Sequence, residues 1–477
     1  MKIVHNIPTN FQPKTIWTGD NLFILRGMNS ATVDLIYLDP PFNSKANYAA
    51  PIGSKAAGAA FKDTWTLDDL DVEWIDLIES KHPALHRVVM AAMTDSDKSY
   101  LVYMATRLLE MKRLLKPTGS IYLHCDPTMS HYLKLLMDAI FGHRNFRNEI
   151  TWQRHSSLAK GSQHAPRTWG NTTDTLLFYA GAEAKLRPYR PMTESERLKQ
   201  FPLVDATGQR YYDDSSHIWR TPNMGTRPNL CYEWKGFTNP HPSGWRLSKE
   251  RLEEEFQKGN FVIKENGRLQ RRKYERDYRG KQAGNLWTDI SIPSGTERTG
   301  YPTQKPLDLL RRIIEASSNE GDVILDPFCG CATTCVAADK LDREWVGIDI
   351  SEKAYELVNI RLRESQGAKY LKDGVKQTSF LEEVIHRTDI PQRTDLGKLP
   401  RYNCKENRVW LYGSQEGNCA HCNTHFEMRH LEVDHIIARS KGGTDHIDNL
   451  QMLCASCNRI KGNRGMEYLR QRLRLAA

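Results

Sequence analysis

Long apolar runs are missing from this 477-residue chain. No uninterrupted stretch could span a bilayer, and no apolar segment follows Met1-Lys2, so neither a membrane partner nor export is expected. The expectation is a soluble, cytoplasmic protein. Cysteine is scarce, at ten residues, and in a reducing compartment these are expected as thiols or metal ligands rather than disulfides. Charge of one sign is limited too: 67 Lys and Arg stand against 58 Asp and Glu, a net +9. That excess is small, yet its sign suits a polyanionic partner. The three-glycine fingerprint of a dinucleotide-binding turn is absent, which argues against NAD. The chain is also too long for one core, and two or three domains are expected.

Against these absences, the stretch Val33-Asp34-Leu35-Ile36-Tyr37-Leu38-Asp39-Pro40-Pro41-Phe42-Asn43 carries the most information. Its apolar run reads as a buried parallel strand. Asp39 falls at the carboxyl end, where open α/β sheets place their chemistry. Pro40 and Pro41 have no N–H and a fixed φ, so they end the ladder and stiffen the loop. The Pro40 carbonyl and the Asp39 carboxylate then offer two acceptors to one small NH₂ donor, with the Phe42 ring as a stacking wall. Such a site suits a planar base held by its exocyclic amine.

A second strand–turn–helix signal runs from Asp322 through Leu325-Asp326-Pro327-Phe328-Cys329-Gly330-Cys331-Ala332 into Thr333-Thr334-Cys335-Val336. The following strand, Trp345 to Ile350, contains Asp349, 23 residues after Asp326 and close to the ~20 expected between a nucleotide-binding turn and its ribose-binding acid. Gly330 allows close backbone approach, and Asp349 can accept from ribose hydroxyls.

Asp39-Pro40-Pro41-Phe42 resembles the catalytic motif of the amino-methyltransferases that modify adenine N6 or cytosine N4 in DNA. The second signal is similar to the S-adenosylmethionine motif of the same family. The resemblance covers about residues 15–365. It implies a Rossmann-like α/β fold, double-stranded DNA as partner and S-adenosylmethionine as cofactor. It assigns Asp326, Phe328, Gly330 and Asp349 to that cofactor, and places Asp20 (in the Gly19-Asp20 turn), Thr303 and Lys305 beside its pocket. The catalytic strand precedes the cofactor strand, the order of the β-type permutation. Ala332 departs from the family, which usually has a second glycine there, and a tighter turn is expected. Asp at the first motif position resembles the adenine enzymes, with cytosine N4 as the alternative.

Around these motifs the chain divides. Residues 1 to about 150 alternate strands and helices, with Leu101 to Leu115 an amphipathic helix and Ser120 to His124 a strand in which His124 is read as structural. Residues 43–62, rich in Ala, Gly and Ser, suggest a mobile flap. Thr303 is read as the N-cap of a helix through Leu309, Leu310, Ile313 and Ile314. From about 150 to 289, basic and aromatic residues interleave (Arg154, His155, Lys160, Arg167, Trp169; Trp245, Arg246, Lys249, Arg251), which suits an inserted target-recognition region. Residues 366–407 read as a linker.

The last segment, 408–477, carries a different chemistry. Cys419, Cys422, Cys454 and Cys457 form two Cys-x-x-Cys knuckles, a spacing that matches a tetrahedral structural zinc site. Between them Leu431 to Ile437 alternates as a strand bearing Asp434 and His435. About residues 404–465 resemble the HNH, or ββα-metal, nuclease module. The resemblance makes His435 the general base, gives Asp434 and Asn458 to one Mg²⁺, and has Asn449 brace the loop that orients His435. Many members carry a second histidine where Asn458 stands. Two readings remain open: a methyltransferase with a fused nuclease, or one whose module only grips DNA. A homodimer and a separate restriction subunit are left open as well.

Overall fold

The computed structural model describes residues 8–44, 46–50, 54–57, 60–63, 65, 75, 78–79, 82–155, 169–214, 217–370, 384–395, 400–439, 443, 445–464 and 469. Lys160 and Arg167 lie outside the described residues, as do parts of the expected flap and linker. No described helix is long and apolar enough to cross a membrane.

The central feature is a nine-stranded sheet among the described residues. Its strands are β1 (Thr15–Thr18), β2 (Val33–Leu38), β3 (Leu115–Cys125), β4 (Phe146–Gln153), β5 (Thr173–Ala180), β6 (Leu286–Trp287), β7 (Val323–Asp326), β8 (Glu344–Asp349) and β9 (Ile385–Arg387). They lie in the order β6-β4-β5-β3-β2-β7-β8-β1-β9. The run from β3 to β9 is parallel, and β5 is antiparallel to both β3 and β4.

The continuous apolar reading of β2 has a simple cause: both faces of this sheet are covered. Leu35 and Tyr37 pack with Ile313, Ile314 and Val336 in one core cluster. Ile36 and Leu38 point the other way and pack with Leu101, Met104 and Leu108. The helices behind these contacts are α1 (Asn21–Gly27), α2 (Asp95–Leu114), α3 (Leu307–Ser317) and α4 (Thr333–Lys340). The Thr94 side chain caps α2 by accepting from the Asp97 N–H, with Asp95 and Asp97 in the first turn and Lys112 and Arg113 in the last. That polarity complements the helix dipole.

Several boundaries differ from expectation. The expected insert begins too early, because β4 and β5 belong to the main sheet. The second compact unit is Pro188–Gly284. Within it, the strands Leu203–Val204, Arg210–Asp213, Phe261–Ile263 and Leu269–Tyr274 make a four-stranded sheet. Trp245 is fully buried there and stacks on Tyr232 at 5.4 Å, so its role is in the core rather than at a surface. Arg246, Lys249 and Arg251 are exposed. The expected linker is shortened from both ends. The helix α5 (Lys353–Tyr370) runs into it, β9 pairs with β1, and another helix opens at Lys405. Thr303 is no N-cap: α3 starts at Leu307, after Pro306, and the Glu297 carboxylate accepts from the Leu307 N–H at 2.6 Å.

The expected flap is built as a hairpin, Ala46–Ala49 paired antiparallel with Ala60–Asp63. In the carboxyl-terminal segment, the antiparallel strands Leu431–His435 and Leu450–Cys454 precede the helix Ala455–Lys461, a ββα unit. Leu431, Val433, Leu450 and Met452 form its core with Leu411.

Candidate active site

Parallel pairing of Leu35 with Ile324 and of Ile36 with Leu325 brings the carboxyl ends of β2 and β7 to one rim of the sheet. A cavity of about 400 Å³ opens there, within the ~300–1,000 Å³ usual for small-ligand sites. Asp39, Pro40, Pro41 and Phe42 line it together with Asp20, Thr303, Lys305, Asp326, Phe328, Gly330 and Asp349. The structure thus gathers in one cavity every residue that the sequence nominated in the first two motifs.

Asp39 dominates one wall. Its Oδ2 accepts from Lys305 Nζ at 2.5 Å. Its Oδ1 is buried and has no hydrogen-bond partner among the described residues. An unpaired buried acceptor is costly, by about 1–3 kcal/mol, unless a donor arrives to fill it. Lys305 was placed beside the cofactor by resemblance; in the structure its ammonium is held by the Asp39 carboxylate and lies 5.4 Å from the Phe42 ring centre.

The opposite wall is the turn after β7. Gly330 has φ +50°, and a Cβ there would meet the Tyr301 ring at 3.0–3.1 Å. Its N–H donates to Asp349 Oδ2 at 2.8 Å, while Asp349 Oδ1 accepts from the Ser351 N–H. Ala332, at φ +55°, takes the left-handed conformation that begins α4, at a cost of about 1–2 kcal/mol relative to glycine. Burial raises the Asp349 carboxyl, against the hydrogen bonds from Ser351 and Gly330. Burial also pushes the Asp326 carboxyl up to about 7.

Three more groups complete this region: His124, read as structural from the sequence, and Arg107 and Asp63, which the sequence did not single out. His124, at the end of β3, is fully buried; its Nδ1 meets the Tyr37 hydroxyl at 2.9 Å and its Nε2 meets Asp174 at 3.0 Å. Burial, the largest single influence, would raise Asp174, but the His124 hydrogen bond together with the nearby charges of His124, Lys305 and Arg154 holds the carboxyl low. The His124 ring lies 6.2 Å from Phe42 at 22°, behind the stacking wall. Arg107, from α2, ties the Gly19-Asp20 turn through Asp20 at 2.8 Å and Asn21 at 2.6 Å, and Asn21 donates in turn to the Pro327 carbonyl. Asp63 returns from the hairpin to line the same cavity. None of these belongs to a recognisable local motif, so only folding reveals them.

The ββα unit holds the other nominated residues. The ligand sulfurs of Cys419, Cys422, Cys454 and Cys457 lie within 4.8 Å of one another, a cluster able to hold a metal ion. Asp434 Oδ2 accepts from Gln451 at 3.0 Å and pairs with the buried Lys461 at 3.0 Å. Asn458 Nδ2 donates to Glu432 at 2.5 Å, which leaves its amide oxygen for another partner. Asn449 grips Ile437 at both ends, accepting from its N–H and donating to its carbonyl, each at 3.0 Å. His435 Nε2 meets Asp445 at 2.9 Å, a contact the sequence reading missed.

The sequence profile of the DNA methylase family of N6/N4 enzymes matches residues 33–359, and that of the HNH endonuclease domain matches residues 419–464. The chain belongs to the DNA methylase family and carries an HNH domain. It is 28% identical over 351 residues to the type II methyltransferase M.EcaI of Enterobacter cloacae, covering 72% of this chain and 67% of that protein. It is 26% identical to the Mod subunit of the type III restriction-modification enzyme StyLTI of Salmonella typhimurium, over 69% of this chain and half of that protein. Identity to the DNA adenine methyltransferase YhdJ of Escherichia coli is 23%, over 72% of this chain and 82% of that protein. The chain therefore spans between half and about four-fifths of the length of these relatives.

The raised Asp326 carboxyl has a measurable consequence. Unfolded, it releases its proton near 3.8; folded, it keeps it to about 7. Its contribution to stability is present below the lower value and is lost as pH rises through the higher one. Asp326→Asn should melt close to wild type at pH 4–5 and progressively above it toward pH 8. A melting-temperature difference that stays constant with pH would contradict this assignment.

Proposed function

We propose that this chain transfers a methyl group from S-adenosylmethionine to the exocyclic amine of a base in double-stranded DNA, with adenine N6 favoured. The observation that carries this reading is Asp39, which lines the cavity with Gly330 and Asp349 and whose buried Oδ1 has no donor among the described residues. Asp326, Phe328, Gly330 and Asp349 would hold the cofactor, with Asp20 and Thr303 at the margins; the Gly330 cradle, which a Cβ would crowd against Tyr301, fits a ligand pressed close to backbone. The bound cofactor supplies an electrophilic methyl carbon.

The chain's own residues do the rest. A base inside a duplex cannot reach this depth and must be flipped out. Asp39 Oδ1 and the Pro40 carbonyl would accept from its amine, which would leave the nitrogen lone pair available for the transfer. Phe42 stacks on the ring. Lys305 holds and orients the Asp39 carboxylate through their ion pair, and that carboxylate would receive the proton released on transfer. The adenine preference rests on Asp39 as the first motif residue and on the name of the YhdJ relative. The exposed Arg246, Lys249 and Arg251 of Pro188–Gly284 suit phosphate contacts.

For the HNH domain we propose zinc at the four cysteines and Mg²⁺-dependent cleavage or nicking of DNA. Hard oxygen donors from Asp434 and Asn458 suit magnesium, which would polarise the scissile phosphate. His435, held by Asp445 and by the Asn449 clamp on Ile437, is placed to take a proton from water.

Three outcomes test these readings. Asp39→Ala should cut incorporation of labelled methyl into unmethylated DNA by at least ~100-fold with unchanged cofactor affinity by calorimetry; retained methylation would remove Asp39 from its role. Purified protein should contain one zinc per chain by elemental analysis, and Cys454→Ser should lose it together with the folded signal of the domain. With Mg²⁺, unmethylated supercoiled plasmid should be nicked or cut by wild type and ~100-fold or more slowly by His435→Ala. If neither protein cuts DNA that both methylate, the domain is a DNA-gripping module.

A further inference from the structure

We propose that Asp63 is a positioning residue for methyl transfer, one that sets the stacking wall by holding the loop Phe42–Ser44 in its working shape. The inference rests on the base-methylation reading above.

Asp63 ends the second strand of the hairpin and is 1% exposed. Its register partner is Ala46, at the start of the first strand. The hairpin therefore leaves the catalytic loop and brings a carboxylate straight back to it. Three successive backbone N–H groups converge on that carboxylate: Phe42 on Oδ2 at 3.2 Å, Asn43 on Oδ1 at 2.7 Å and Ser44 on Oδ2 at 2.8 Å. The Ser44 hydroxyl adds a bond at 2.6 Å and the Trp65 indole N–H another at 3.3 Å. Asn43 stands at φ +58°, the left-handed step that lets consecutive amides point into one concavity. Backbone concavities of this kind commonly bind external anions; here the anion is internal.

The other side of the loop is tied as well. Asn43 Nδ2 donates to Asp97 at 2.8 Å, and its Oδ1 accepts from the Ser96 hydroxyl at 3.1 Å. Phe42 follows two prolines and precedes this doubly held asparagine, so its backbone has little freedom left. Charge-assisted bonds are stronger than neutral ones, and the Asp63 carboxylate makes five. Losing the carboxylate would strand three amides at the cavity wall, and the loop would turn them toward water. The Phe42 ring would leave its place before His124 and Lys305. Asp63 touches neither the reacting amine nor the methyl group in this scheme, and its effect runs through Phe42.

That route can be separated from a general loss of structure. Asp63→Asn puts an amide NH₂ against backbone donors at nearly constant volume. Its single-turnover methylation of unmethylated plasmid should fall on the order of 10- to 100-fold, while the affinity for S-adenosylmethionine, read by calorimetry, stays within about twofold. The decisive arm is the double variant with Phe42→Ala. If Asp63 acts through Phe42, the pair loses no more rate than Phe42→Ala alone. Multiplicative losses would overturn the proposal, as would a wild-type rate in Asp63→Asn or a matching loss of cofactor affinity. Should Asp63→Asn fail to fold, Ser44→Ala removes a single bond to the same carboxylate. A several-fold slower rate with unchanged cofactor affinity would then support the proposal, and an unchanged rate would overturn it. A wild type that incorporates no methyl group would instead refute the methylation reading, and this inference with it.

Discussion

The parallel pairing of β2 with β7 is the constraint on which the site depends. Two strands far apart in sequence share one short register, Leu35 with Ile324 and Ile36 with Leu325. Because the pairing is parallel, both strands end at the same rim, and the loops that follow them face one cavity. Asp39 and its prolines come from one strand, Asp326 and the Gly330 turn from the other. An antiparallel pairing would have sent the two loops to opposite ends of the sheet. The alternation of Leu35 and Tyr37 against Ile36 and Leu38 holds the register, since a slip of one residue would exchange the two buried faces.

Electrostatics at that rim follow from burial. Asp39, Asp326 and Asp349 all border the cavity, and burial raises the carboxyls of Asp326 and Asp349. The protein answers in three ways. Lys305 lies against Asp39 and compensates one charge. Backbone N–H groups of Gly330 and Ser351 solvate Asp349. Asp326, with the Phe328 N–H as a partner, takes the raised carboxyl as the outcome. Asp39 Oδ1 is left without a donor among the described residues. A second layer keeps the rim rigid: Arg107 and Asn21 bridge α1, α2 and the Pro327 turn, and the Tyr37–His124–Asp174 chain backs Phe42.

The carboxyl-terminal domain solves a different problem. Its hairpin and short helix bury only a small cluster around Leu431, Val433, Leu450 and Met452, and units of that size usually need a metal or a disulfide to stay folded. The four-cysteine cluster is able to hold such a metal. The residues nominated there are held by their neighbours: Asn449 clamps the backbone of Ile437, Asp445 meets His435, and Lys461 pairs with Asp434.

Much of this was legible from residues alone, and the reason is locality. Asp39 through Phe42, the turn from Asp326 to Gly330, the paired Cys-x-x-Cys knuckles and the alternation of Leu431 to Ile437 each encode their geometry within a few positions. Where tertiary pairing overrides local appearance, the reading failed. The chain from about residue 150 looked like the start of an irregular insert, yet β4 ends and β5 lies within that stretch because β3 offers an edge for β5 to pair with. Trp245 looked like a base-reading aromatic, and it went to the core of Pro188–Gly284 because a large ring gains more there than at a surface. The sequence by itself determined which chemistries are present and which short segments carry them, since motif spacing and strand periodicity are local properties. Only the tertiary structure decided who stands beside whom: Lys305 on Asp39, His124 behind Phe42, Asp63 beneath its loop and Asp445 on His435. These contacts join residues with no fixed spacing, and the packing of separate elements alone brings them within hydrogen-bond reach.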